Sequence, residues 1–152
     1  MNWRNSTERY GFLSNGLRWT AALTLVACAP TAWSQLFESD SKRYGNPKMD
    51  ILVKETERRP RASVLDIKVT AVGSSVGASF FLVCSIRQLA RQRGGFRYIA
   101  KLEETPQRGQ MLVGFLRSAD EPPSGTDPAF AAAGARTMVA DLDQFAEICD
   151  RL

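Results

Sequence analysis

From Val64 to Ala71 apolar and polar residues alternate: Leu65, Ile67, Val69 and Ala71 against Asp66, Lys68 and Thr70. That period of two predicts a half-buried strand. The period returns at Phe96, Tyr98, Ala100 and Leu102 and predicts a second strand. Between them, Gly73-Ser74-Ser75-Val76-Gly77 turns the chain into a helix predicted over 78–92. Leu82, Val83, Ile86, Leu89 and Ala90 form its apolar arc, and Gly94 and Gly95 supply its stop. Met111 to Leu116 is a nearly unbroken apolar run, as expected of a central strand covered on both faces. Asp50 to Glu55 makes a short strand candidate, and Arg58-Arg59-Pro60-Arg61 after it reads as a solvated turn. Thr105 to Gly109 reads as a hairpin loop.

Residues 35–49 are polar, contain Gly45-Asn46-Pro47 and show no apolar period, so they read as a linker. Asp127-Pro128 has the form of a helix start. The stretch 129–140 fits a helix through its alanines and a strand through Thr137-Met138-Val139, and both readings stand. Leu142, Phe145, Ile148, Cys149 and Leu152 recur at helical spacing opposite Asp143, Glu147, Asp150 and Arg151, which predicts an amphipathic C-terminal helix. Together these elements predict one α+β domain over 50–152. It is expected to hold a small mixed sheet of about four strands, with the crossover helix making its two flanking strands parallel and the C-terminal helix packed on the sheet.

Ahead of that domain, Arg18 is followed by an uncharged apolar run from Trp19 to Ala29. A basic region before such a run is the pattern of a secretory signal, and the run falls short of the roughly 20 residues that span a bilayer. Pro30 ends it, and Ala32-Trp33-Ser34 places small residues where a signal peptidase cuts, before Gln35. Residues 1–34 are therefore expected to be removed and the protein to reach the periplasm or the outer membrane. Leu25-Val26-Ala27-Cys28 also resembles the lipobox of bacterial lipoproteins. The resemblance implies removal of 1–27, a diacylglyceryl anchor on Cys28 and, from Ala29 beside it, outer-membrane sorting. Cleavage before Gln35 is the favoured reading, because the N-terminal region is long and a complete small-residue site lies downstream.

Either form of processing disposes of Cys28 and leaves Cys84 and Cys149 in an oxidising compartment. Cys84 lies off the apolar arc of its helix with Phe80, beside Arg87 and Arg91. The C-terminal helix, with Cys149 on its apolar face, is the available cover. A disulfide between Cys84 and Cys149 is the expected result.

Composition narrows the chemistry. With 44% hydrophobic and 24% charged residues the chain is ordinary globular material. It contains no histidine, which removes Ser-His-Asp and Cys-His catalysis and imidazole metal sites. The net charge of +4 hides an asymmetry: residues 29–118 carry 15 basic and 8 acidic groups, residues 119–152 carry 2 and 7. Blocks of this kind are expected to pair within one fold.

Gly73-Ser74-Ser75-Val76-Gly77 resembles the nucleophile elbow of α/β-hydrolases in pattern and in its place between strand and helix. That family activates its serine with histidine, which this chain lacks, and a dyad of Ser75 with Lys68 or Lys101 has no supporting pattern. A glycine turn capped by Ser74 or Ser75, able at most to hold an incidental anion, is the expected reading. Glu103 and Glu104, Glu55 and Glu57, and Asp141 and Asp143 are expected to be solvated. Arg87, Arg91, Arg93, Arg97 and Lys101 form a basic series that an exported chain would not present to nucleic acid.

No catalytic residue, cofactor or metal is expected. The reading that remains is an exported binding or accessory module whose partner is an envelope protein or an anionic glycolipid, with membrane contact only through an anchor on Cys28. A small histidine-free, metal-free envelope enzyme is the alternative. An inhibitor or immunity-type protein, hinted at by the acidic C-terminal third, is the other.

Overall fold

The computed structural model describes residues 35–45 and 47–151; the expected export segment, with Cys28 and both expected processing sites, lies outside them. The strands are β1 (Glu38–Asp40), β2 (Met49–Arg58), β3 (Ala62–Val72), β4 (Tyr98–Glu103), β5 (Gln110–Leu116) and β6 (Met138–Asp141). The helices are α1 (Ser75–Gln92), α2 (Pro128–Ala133) and α3 (Ala146–Cys149).

The α+β class stands, but the sheet holds six strands in the order β1-β2-β3-β5-β4-β6, and every pairing is antiparallel. The expected mixed sheet of about four strands is corrected here, and the cause is β5. It enters between β3 and β4 and pairs antiparallel with both. β3 and β4 therefore run in the same direction, as the α1 crossover requires, without touching. Two further strands come from the supposed linker and from the stretch left open between helix and strand.

The first is the supposed linker. Residues 35–49 carry β1 and a 3-10 turn, Ser41–Tyr44, and Phe37, Ser39 and Ser41 are buried. Its polar composition misleads because the serines spend their hydroxyls inside. Ser41 Oγ donates to Met49 O at 3.0 Å and accepts from Ile51 N at 2.8 Å, while Ser85 Oγ donates to Ser39 Oγ at 3.0 Å. A buried hydroxyl with its partners in place carries little of the penalty that keeps polar groups at the surface. The second is the undecided stretch 129–140, which is both things in turn: α2 over its first part and the edge strand β6 at its end.

β5 divides the core. Met111, Val113 and Phe115 face one cluster beneath α1, with Ile51, Val53, Leu65, Ile86 and Leu89. Leu112 and Leu116 face the other, beneath α2, with Ala62, Val64, Leu102 and Phe130. Both faces are covered, as the unbroken apolar run predicted. Gly114 is what lets α2 sit so close: a Cβ there would overlap Thr126 Oγ1 and lie 2.8 Å from the Phe130 ring.

Helix α1 starts at Ser75, earlier than expected, with Ser74 Oγ accepting from Gly77 N at 3.3 Å. Its buried line runs through Phe81, Ser85, Ile86, Leu89 and Ala90, so the arc is shifted and Leu82 and Val83 stand half-buried on its flank. The expected C-terminal helix shrinks to a 3-10 turn, Leu142–Phe145, followed by the four-residue α3. Of its apolar positions Leu142 is buried, while Ile148 remains exposed.

Candidate binding surface

The charge blocks close on each other. Arg59 Nη1 meets Asp127 Oδ2 at 2.5 Å, Arg61 Nη1 meets Glu121 Oε1 at 2.6 Å, and Arg87 Nη1 meets Asp150 Oδ1 at 2.7 Å. Arg97 bridges Asp141 at 2.7 Å and Asp143 at 3.3 Å. Five of the seven acids in the C-terminal third thus pair with arginines of the basic region. Hydrogen bonding to Arg61 holds the Glu121 carboxyl down at about 2. Arg97 lowers Asp141 and Arg87 lowers Asp150 in the same way. The Arg58–Arg61 turn is where the pattern placed it, but its guanidinium groups are engaged within the fold.

Glu55 departs furthest from expectation. It is fully buried, on the same face of β2 as Ile51 and Val53, and the register shift at Thr56 then parts it from Glu57: Glu55 stands opposite Leu65 and Glu57 opposite Val64, on different faces. Its carboxylate accepts from Phe37 N at 3.0 Å, Ser63 Oγ at 2.7 Å and Arg58 Nε at 3.0 Å, and Arg93 Nη1 stands 3.4 Å away. Burial pushes this carboxyl up, but the Arg58, Phe37 and Ser63 hydrogen bonds outweigh it and leave it below its ordinary value. Arg93 also donates to Pro60 O at 3.1 Å and lies 5.1 Å over the Phe115 ring. The cluster ties the β2–β3 turn, the start of β1 and the end of α1 together. A carboxylate held this way is ionised and enclosed, a structural tie rather than a proton donor.

Ser75 is the first residue of α1, exposed and with an ordinary helical backbone, since Glu104 is the one described non-glycine residue at positive φ. It forms no hydrogen bond with Lys68 or Lys101, and the Lys101 ammonium is held by Glu103 Oε1 at 2.6 Å. Among the described residues no three of Cys, Asp and Glu gather as metal ligands, and no helix is long and apolar enough to cross a membrane.

Cys84 and Cys149 form a disulfide, with Cα atoms 5.2 Å apart. The bond matters most for α3, which buries no residue of its own. The bridge, with Arg87 and Arg91 both on Asp150, holds the C-terminal turn against α1. The result is an open apolar cleft of about 380 Å3 between that turn and the start of β2. Phe80, Phe81 and Gly77 of α1, Ile148 and Arg151 of the C-terminal turn, and Tyr44 and Met49 line it. Tyr44 and Phe81 are in edge contact, their ring centroids 5.8 Å apart.

Two exposed valines adjoin residues of the lining. Val72, paired with Met49 across the β2–β3 ladder, is 45% exposed, and Val76, next to Gly77, is 61% exposed. A second, larger hollow of about 560 Å3 is polar and lined by Gln35, Glu38, Arg43, Lys54 and Gln92. Its Lys54 and Glu38 stand 3.9 Å apart and exposed. The disulfide was legible in the sequence; the cleft was not, because Tyr44 and Met49 fell in the supposed linker.

Compared with known proteins, the chain matches no family model, no curated protein and no solved structure.

Proposed function

We propose that this chain is an exported, non-enzymatic binding module that docks an envelope protein through the apolar cleft between α1 and the disulfide-held C-terminal turn. The observation that carries the reading is the cleft itself: an aromatic lining with Val72, Val76, Tyr44 and Ile148 exposed in or beside it. Burying those side chains against a partner gains about 25 cal/mol for each Å2 taken from water. An aromatic or aliphatic anchor from another protein fits this chemistry. An anionic glycolipid fits less well, because Arg59 and Arg61 of the basic turn are paired with acids of the same chain.

Cleavage before Gln35 is compatible with the packing of the described residues. Among them Phe37 is the first to be buried, and Glu55 holds its N–H. Cleavage before Gln35 would leave every one of these contacts in place. An anchor on Cys28 would instead keep Phe37 within roughly 30 Å of the membrane, the reach of the few residues between them. The bridge between Cys84 and Cys149 suits an oxidising compartment.

Cross-linking in intact cells tests the reading. The wild-type chain is expected to give a discrete protein adduct in the envelope fraction. Ile148→Asp and Val76→Asp, both at exposed positions, are expected to lose that adduct without unfolding. An adduct that survives both substitutions, or one made of glycolipid alone, would contradict the proposal. Intact mass tests the export half: a mature chain beginning at Met1 would sink it.

A further inference from the structure

The sheet ends on one side at β6, which has β4 on its inner side and no neighbour on the other among the described residues. Leu142 N donates to Arg97 O at 2.9 Å, and this sets the phase of the ladder. Ala140 and Met138 turn their backbone groups toward β4, while Val139 and Asp141 turn theirs outward. Apart from its shortness and Asp141 at its end, the edge lacks the usual protections. β6 carries no lysine, no proline and no bulge, and Met138 and Val139 are 55% and 49% exposed.

The charges flanking this edge are self-complementary. Arg136, just before β6, is exposed and enters no ion pair among the described residues. At its end and just past it, Asp141 and Asp143 share the single guanidinium of Arg97, so one negative charge stays uncompensated. An antiparallel partner of the same sequence, with its two-fold axis at Val139, sets Val139 opposite Val139. It also sets Thr137 opposite Asp141 and brings Arg136 opposite Leu142, between Asp141 and Asp143 of the other copy. The free arginine of each chain meets the excess carboxylate of its partner.

We propose that β6 pairs with β6 of a second copy of this chain, joining two six-stranded sheets into one through an isologous edge. A four-residue ladder buries less than the 1,200–2,000 Å2 of a stable interface. The dimer is therefore weak, with a dissociation constant of roughly 10–100 μM, and salt weakens it further. No residue of β6 lines the apolar cleft.

Sedimentation velocity on the purified protein, in the form its cells accumulate, reads the mass as concentration rises through roughly 1–300 μM. The expected result is a concentration-dependent monomer–dimer equilibrium. Val139→Lys, which sets two like charges face to face on the axis, is expected to raise the dissociation constant at least about tenfold. Arg136→Glu is expected to raise it severalfold and to remove most of its salt dependence. Val139→Cys is expected to cross-link two chains under mild oxidation, since opposite residues of a bonded pair stand about 5.5 Å apart, within disulfide reach. The same substitution at Val72 is expected not to. A protein that stays monomeric throughout, a dimer that Val139→Lys leaves unchanged, or an edge that captures a strand of a different protein would each overturn the proposal.

Discussion

Removing the Cys84–Cys149 bridge should cost this fold more than any contact made by α3 would suggest. The half-cystines are separated by 65 positions in the chain. On the chain-entropy model, closing a loop of that length removes about 14 cal/mol/K from the unfolded ensemble, or about 4 kcal/mol at 25 °C. The native-state loss is small by comparison, since α3 buries no residue and Leu142 holds the preceding turn independently of the bridge. Urea titration of Cys84→Ala/Cys149→Ala against the wild type should therefore show a deficit of about 3–4 kcal/mol, with a melting temperature lower by roughly 15 °C. The slope of the titration should rise, because the unbridged chain exposes more surface when unfolded. Far below the transition the variant should keep its sheet while Ile148 and Arg151 leave the cleft lining. A deficit under about 1 kcal/mol, or alkylation of both thiols in the oxidised, unfolded wild-type protein, would refute the reasoning.

Gly114→Ala should destabilise by about 3 kcal/mol or more, since the added methyl overlaps Thr126 Oγ1 and crowds Phe130; unfolding midpoints close to wild type would show that α2 yields easily. Acid should destabilise with a defined sign. Glu121, Asp141, Asp150 and Glu55 are all held below their ordinary values in the fold. Their contribution is complete above the unfolded carboxyl range near pH 4–4.5 and drains away as pH falls through the folded values, toward about 2 for Glu121. Melting temperature should be level from pH 7 to 5 and fall below that, less steeply in Arg61→Ala, and an unchanged slope in that variant would contradict the Arg61–Glu121 assignment. Ser74→Ala should cost about 1 kcal/mol as a lost helix cap and Ser75→Ala less, and fluorophosphonate labelling of Ser75 would overturn its reading as an inert helix residue.

How far the sequence discloses the fold depends on whether a residue's role follows from its own neighbours. The alternation at Leu65 and Ile67, and the apolar run at Leu112–Leu116, report burial directly, and β3 and β5 appear where that pattern puts them. Crossover handedness fixed the common direction of β3 and β4 but not their adjacency, because nothing local says that β5 will slip between them. Glu55 and Glu57 were expected to share a solvated face, but Glu55 keeps the inward phase of Ile51 and Val53, a bulge at Thr56 turns Glu57 away, and partners next to β1 and at the end of α1 make the buried carboxylate tolerable. Ser39 and Ser41 hid β1 in the same manner. At the candidate site the disulfide was within reach of helical-wheel reasoning, since Cys84 lies off the face that meets the sheet. The cleft needed Tyr44 and Met49 from a distant segment, and no periodicity in α1 points to them.

The central claim is that the cleft meets another protein in the envelope, and a photo-reactive side chain at Val76 tests it most directly. Val76 adjoins Gly77 of the lining and is 61% exposed, so the replacement fits without disturbing the core. Irradiated in intact cells, the Val76 probe should yield one protein adduct of defined mass. The same probe at Asp120, in the loop between β5 and α2, should yield none, and Ile148→Asp should abolish the Val76 product. Equal labelling at Val76 and Asp120, or a Val76 adduct that is glycolipid and contains no protein, would contradict the account.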